Sequence, residues 1–171
     1  MATTADLLLD ALGRVRETVH GILETTPQDR LGTPPAEGAN TIAWLVWHLT
    51  RVLDGSLAEV LDYEPVWTSA GWHERMGLPL PPEAHGSGMS FDEVLLVQAT
   101  AEHLRGYFDA AYDVATEHLR GLHDDDLDRV VDEAWVPPVT LAVRLVSVVD
   151  DCVQHAGQAA YASGILSRSS R

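Results

Sequence analysis

LAVRLVSVVDDCVQHAGQAAYASGI, residues 141–165, sets Leu141, Leu145, Val148, Cys152, His155, Ala159 and Ala162 at intervals of three and four, the spacing of one buried helical face. Pro137 and Pro138 precede the stripe, Gly164 ends it, and Ile165 is placed to close a Schellman cap. Three more stripes of this kind lie upstream. The first follows the capping-box pair Thr3 and Asp6 and runs through Leu8, Leu12, Val15, Val19 and Ile22 to Pro27. The second starts after Asn40, a good N-cap, and carries Leu45, Leu49 and Val52 until it fades near Tyr63 and Pro65. The third opens with the capping box Ser90 and Glu93 and runs through Val94, Val97, Ala101, Leu104, Phe108, Ala111, Ala115 and Leu119, with Gly121 as its stop. No strand-period segment competes, so the expectation is an all-α four-helix bundle forming a single domain over residues 1–171.

Composition narrows the function classes. The chain has 26 acidic residues against 11 basic ones, all arginine, for a net charge of -15, so no face supplies the cationic field that a nucleic-acid backbone or an anionic membrane requires. The lone Cys152 cannot form an internal disulfide, and the N-terminus lacks a basic segment followed by an apolar run, which together predict a cytoplasmic protein.

Three ionisable residues stand on inward faces. His48 lies one turn after Trp44, between Leu45 and Val52, and Asp151 and His155 are four apart on the fourth helix. A carboxylate in that position must be paired or must hold a cation. His48 is about eight residues, ~12 Å, from the start of the second helix, and His155 is about eight residues from the end of the fourth. These depths match if the two helices are antiparallel. In an up-down-up-down bundle they would be parallel and the groups about 10 Å out of register. The connection from Tyr63 to Met89, which carries Trp67, Trp72, His73 and His85, is long enough to cross the whole bundle and makes the second and third helices parallel. The same segment suits a lid, with the two tryptophans either at a pocket mouth or packing it down. His48, Asp151 and His155 then form a two-histidine, one-carboxylate set for a divalent metal. The alternative is that Asp151 only orients His155 and that His48 is a satisfied core histidine.

The segments Asn40–Arg51 (NTIAWLVWHLTR) and Asp150–Gln158 (DDCVQHAGQ) resemble the two signature helices of the DinB-like superfamily, in particular its actinobacterial mycothiol-dependent branch. The resemblance spans nearly the whole chain and implies a bundle with a long crossover between helices 2 and 3. It also implies a metal held by a helix-2 histidine and an H-x-x-x-H pair on helix 4. His48 and His155 match the outer positions. Asp151 replaces the middle histidine, much as a glutamate does in the N-terminal metal-binding domain of mycothiol-dependent maleylpyruvate isomerase, and Ala156 replaces a common arginine. The resemblance implies zinc, with nickel and iron as the other family metals, and mycothiol as a thiol co-substrate for transfer to, or isomerisation of, a small electrophile. The isomerase's additional C-terminal domain is not expected here, which argues against its substrate. A non-enzymatic metal- or ligand-binding bundle is the alternative, and a non-haem iron oxygenase a third reading.

Around this set, Trp44, Arg51 and Gln158 are candidate thiol or substrate contacts, with Arg51 able instead to pair with Asp54 on the helix surface. Gly157 is expected to let helices approach closely, Cys152 to be a small buried hydrophobe, and Asp150 either to support an imidazole or to face solvent. His20, His103, His118 and His123 read as surface or rim residues, Asp124 to Asp128 as a solvated turn. Leu57, Val60 and Leu61 leave room for a homodimer patch.

Overall fold

A computed structural model of the protein describes residues 2–168. Four long helices, α1 (Thr4–Thr25), α3 (Ile42–Leu61), α7 (Ala101–Arg120) and α8 (Leu141–Arg168), build an all-α bundle. Short helices α2 (Gln28–Leu31), α4 (Val66–Ser69), α5 (Trp72–Met76) and α6 (Phe91–Val94) lie in the connections. Side-chain contacts fix the directions. Tyr107 bonds Asp54 and Tyr63 packs on His118, so numbering rises together along α3 and α7. His48 faces His155, and Cys152 reaches the Leu49 carbonyl, while Leu45 shares a cavity wall with Ala162, so α3 and α8 are antiparallel. This is the crossover arrangement expected from the long connection, although the equal depths assigned to His48 and His155 do not hold, since α8 extends past Gly164 to Arg168.

Helix α1 begins as the sequence indicates: the Thr3 hydroxyl accepts from the Asp6 N–H and the Asp6 carboxylate accepts from the Thr3 N–H. Helix α3 is capped one residue later than expected, by Thr41 rather than Asn40, with the Thr41 hydroxyl accepting from the Trp44 N–H at 3.1 Å. Residues 42–51 of α3 are all buried, outward positions included. The reason is the crossover segment, whose Trp67 packs on Trp47 and Arg51 of α3 and whose Met76 and Leu78 also become core.

The remaining differences have local causes. The Ser90–Glu93 capping box forms, but it caps only the single turn of α6. The chain then leaves the helix through turns, with the Gln28 side chain donating to the Ala99 carbonyl and accepting from the Ala101 N–H, and restarts at the N-cap Thr100. A tertiary clamp thus divides the predicted third helix, while Val94 and Val97 still reach the core. Helix α8 does not stop at Gly164; it continues to Arg168 because Leu166 adds another buried position to the seam. The stretch before it forms an unexpected antiparallel hairpin, β1 (Val130–Asp132) with β2 (Val139–Thr140). Its charged and proline-rich residues show no two-residue hydrophobic alternation. Leu57 and Val60 are buried and Leu61 packs against the core, so that patch is interior and not a dimer surface.

Candidate metal centre

The centre is assembled from α3, α8 and the returning end of the crossover segment. On α3, Trp44 and His48 are one turn apart and stack, with ring centroids 4.6 Å apart. His48 Nδ1 is hydrogen-bonded to the His85 carbonyl. A carbonyl only accepts, so Nδ1 carries the proton and the Nε2 lone pair is left free. Gly86, at φ +107°, lies against the same ring: a Cβ there would collide with His48 Nδ1 and Cγ. Burial lowers the His48 pKa below the ordinary histidine range, opposed by its bond to the His85 carbonyl, and keeps the imidazole neutral at neutral pH.

On α8, the four-residue spacing of Asp151 and His155 puts Asp151 Oδ2 3.7 Å from His155 Nε2. His155 Nδ1 pairs at 2.8 Å with Gln158 Oε1, an acceptor, which gives this ring the same tautomer as His48. The two imidazoles meet edge to face with centroids 4.8 Å apart, and Trp44 lies 6.0 Å from the His155 ring at 90°. One ligand atom from each of His48, Asp151 and His155 lies within 4.8 Å of the others. Asp151 Oδ1 is buried without any hydrogen-bond partner. If Asp151 served only to orient His155, the 3.7 Å separation would be too long for a hydrogen bond, and Oδ1 would bear a desolvation penalty for nothing. Two imidazoles, each hydrogen-bonded through Nδ1, and a carboxylate with an unsatisfied oxygen form instead a donor set that fits a divalent cation.

The other candidates fall in several places. Arg51, one turn beyond His48, is nine-tenths buried: its Nε–H donates to the Ala84 carbonyl at 3.0 Å, and its guanidinium carbon lies 4.9 Å over the Trp67 ring. Asp54 is fully buried as well, so the two do not make a surface pair; they are joined through the Tyr107 hydroxyl. Gln158 also lines a cavity of about 440 Å³, one turn along α8, with Asn40, Leu45 and Tyr161. Cys152 is completely buried and its pKa is pushed up by that burial, so it packs as a small hydrophobe. Asp150 is exposed and accepts from Gln154, away from both imidazoles. Gly157 is exposed with open space about it and brings no helices together. Trp67 and Trp72 pack the crossover segment onto Tyr107, and Trp72 sits against Gly106. His20 bonds Asp109 between α1 and α7, His103 and His118 are half-buried, and His123 is exposed.

Sequence reasoning missed the roles of His85, Gly86 and Met89. They act through a backbone carbonyl, a missing Cβ and a thioether that accepts from the Trp44 indole N–H. The juxtaposition His85-Gly86-Ser87-Gly88 inside a long connection is the only sequence signal of a tight backbone approach.

A family model for the DinB superfamily matches residues 11–159, which include all three residues of the centre. The chain belongs to the DinB superfamily. A crystal structure of a conserved protein from Enterococcus faecalis superposes with a TM-score of 0.91 at 31% identity, covering 96% of this chain and 98% of that one. Among proteins with curated descriptions, none matches. For this DinB-superfamily chain, no helix among the described residues is long and apolar enough to cross a membrane.

Proposed function

We propose that this DinB-superfamily protein is a metal-dependent thiol transferase or isomerase. In this reading it works in the cytoplasm with zinc held by His48, Asp151 and His155, and applies mycothiol to a small electrophile. The observation that carries it is the convergence of two imidazoles, each with Nε2 left free, on a carboxylate whose buried oxygen has no partner. Three protein ligands of this kind would leave a coordination position open, and a cation held by His48, Asp151 and His155 would supply a Lewis acid favouring the thiolate form of a thiol placed there.

The chain's own residues set the conditions. The His85 carbonyl and the Gln158 amide oxygen hold the imidazole tautomers, and the single charge of Asp151 leaves the cation incompletely neutralised. Trp44 walls one side, fixed by Met89. Cys152, buried and with its thiol proton held tightly, is not the nucleophile, which favours a thiol brought from outside. Mycothiol in particular rests on the resemblance of the two signature helices. The cavity beginning at Gln158 is of a size that holds small molecules, and net charge -15 disfavours nucleic acid as a partner.

The test is elemental analysis of protein purified without a metal-affinity tag, followed by incubation with mycothiol and a bimane electrophile. Zinc is expected in the wild type and absent from His48→Ala, whose circular dichroism stays helical because the apolar seams are intact. Conjugation above the uncatalysed rate should need zinc-loaded wild type. Full zinc loading without conjugation would refute the enzyme and leave a metal-binding bundle, and iron in place of zinc would redirect the reading to oxygen chemistry.

A further inference from the structure

We infer that buried Arg51, with Asp54 and Tyr107, is a latch that clamps the returning end of the crossover segment and thereby sets which nitrogen of His48 faces the metal centre. Arg51 and His48 are one turn apart on α3 and bond consecutive backbone carbonyls, Arg51 that of Ala84 at 3.0 Å and His48 that of His85. The chain then turns at Gly86 and sends Met89 to the Trp44 indole. The backbone that fixes the His48 tautomer is therefore held by Arg51 at the residue just before it.

The rest of the network tethers the same segment at its start. Asp54 accepts from the N–H groups of Val66 and Trp67, each at 2.9 Å, and from the Tyr107 hydroxyl at 3.0 Å. Tyr107 in turn lies 3.4 Å from Arg51 Nη1, and the Trp67 indole N–H donates to the Pro82 carbonyl at 2.9 Å. Entry and exit of the crossover are thus sewn to three side chains from α3 and α7. Buried ion networks are often no more stabilising than apolar packing of the same volume, so stability alone is a poor reason for this one. Holding one backbone conformation against a ligating imidazole gives it a purpose.

With the Ala84 contact removed, the His85 carbonyl is free to move and His48 Nδ1–H loses its acceptor. The ring then populates the tautomer protonated at Nε2, which presents no lone pair to the centre and must lose or move that proton before Nε2 can ligate. The effect on metal rests on the proposed function, whereas the effect on the tautomer does not.

The experiment reads both. Long-range proton–nitrogen spectra of metal-free protein with labelled histidines, assigned through His48→Gln, report the tautomer, and competition with a chromophoric chelator reports zinc affinity. Wild type should show His48 protonated only at Nδ1. Arg51→Met keeps the stem that packs on Trp67 but loses every donor, and should show a tautomer mixture with zinc affinity reduced roughly 10- to 100-fold. Arg51→Lys retains a countercharge for Asp54 and so protects the fold, yet has no N–H at the Nε position, and should show the same mixing to a smaller extent. An unchanged tautomer and unchanged zinc affinity in both folded variants, or in Arg51→Lys alone should Arg51→Met not fold, overturn the latch. Tautomer mixing in the variants with no zinc bound even by wild type supports the latch and removes the metal reading; the reverse pattern separates them the other way.

Discussion

Replacing Gly86 by alanine should damage the protein far more than the same change at Gly88, two residues away. Both glycines have positive φ, +107° and +77°, but a Cβ at Gly88 meets nothing within 4 Å, whereas at Gly86 it enters the His48 ring. The strained conformation alone costs an alanine about 1–3 kcal/mol at either site. At Gly86 the overlap must also be relieved by moving the loop or the ring, which breaks the bond between His48 Nδ1 and the His85 carbonyl. Leaving a buried donor unpaired adds about 1–3 kcal/mol. The sum is about 2–6 kcal/mol for Gly86→Ala, against about 1–3 kcal/mol for Gly88→Ala. At roughly 2–4 °C per kcal/mol for a chain of this size, the Gly86 variant should melt several degrees below the Gly88 variant in metal-free buffer. Thermal unfolding followed by circular dichroism, with urea titration for the free energies, measures the difference. Equal losses in the two variants would show that the ring and the loop are not in contact, and the account of the His48 tautomer would fail with it.

Acidification of the metal-free protein should destabilise it through His48. Its folded pKa lies below the unfolded value of 6.5, so the unfolded chain binds the extra proton first, and stability falls as pH drops below about 6.5 and levels off beneath the folded pKa. Urea unfolding at several pH values should show this slope, smaller in His48→Gln. Asp54→Ala should cost about 3–5 kcal/mol, because it strands the Arg51 charge and leaves three buried donors without an acceptor; chemical denaturation measures it, and a loss under 1 kcal/mol would contradict the network. Cys152 should react with a thiol reagent only on unfolding, and Cys152→Ala should leave thiol conjugation unchanged, since the thiol is fully buried and faces the Leu49 carbonyl. Prompt labelling of the native protein would contradict that packing.

What the sequence revealed and what it hid divide along a physical line. The antiparallel pairing of α3 and α8 holds, but not through the depth count: α3 starts at Ile42 and α8 runs to Arg168, so His48 lies about 9 Å from its helix start and His155 about 20 Å from its helix end, and the legible signal was the length of the connection after α3. Seam positions were legible because the helical repeat is constant. Helix interruptions were not, because the break at residues 95–100 depends on Gln28, more than 60 residues away, bonding backbone groups that no local pattern marks. The apolar stripe also understated α3: only the packed crossover explains why Trp47 on its outer side is buried. Arg51 and Asp54 looked like a surface pair by spacing, a reading that the same covering layer overturns.

The centre is consequently built from parts of unequal rigidity. Asp151 and His155 share one helix, and Gln158, which orients His155, is on that helix too, so this half is set by α8 geometry alone. His48 is oriented instead by a backbone carbonyl in a connection with no regular structure from Leu78 to Ser90. The backbone on either side of that carbonyl is held by the Arg51 bond to Ala84, the close approach of Gly86 to the His48 ring and the Met89 contact with the Trp44 indole, each of which a small displacement can undo. Changes that loosen the loop should therefore weaken the His48 contribution before they disturb the Asp151–His155 pair. Truncating Met89 to alanine, which removes its contact with the Trp44 indole without touching any of the three centre residues, should shift the His48 tautomer and leave His155 protonated at Nδ1. A change at His155 with none at His48 would reverse that order and show α8 to be the weaker support.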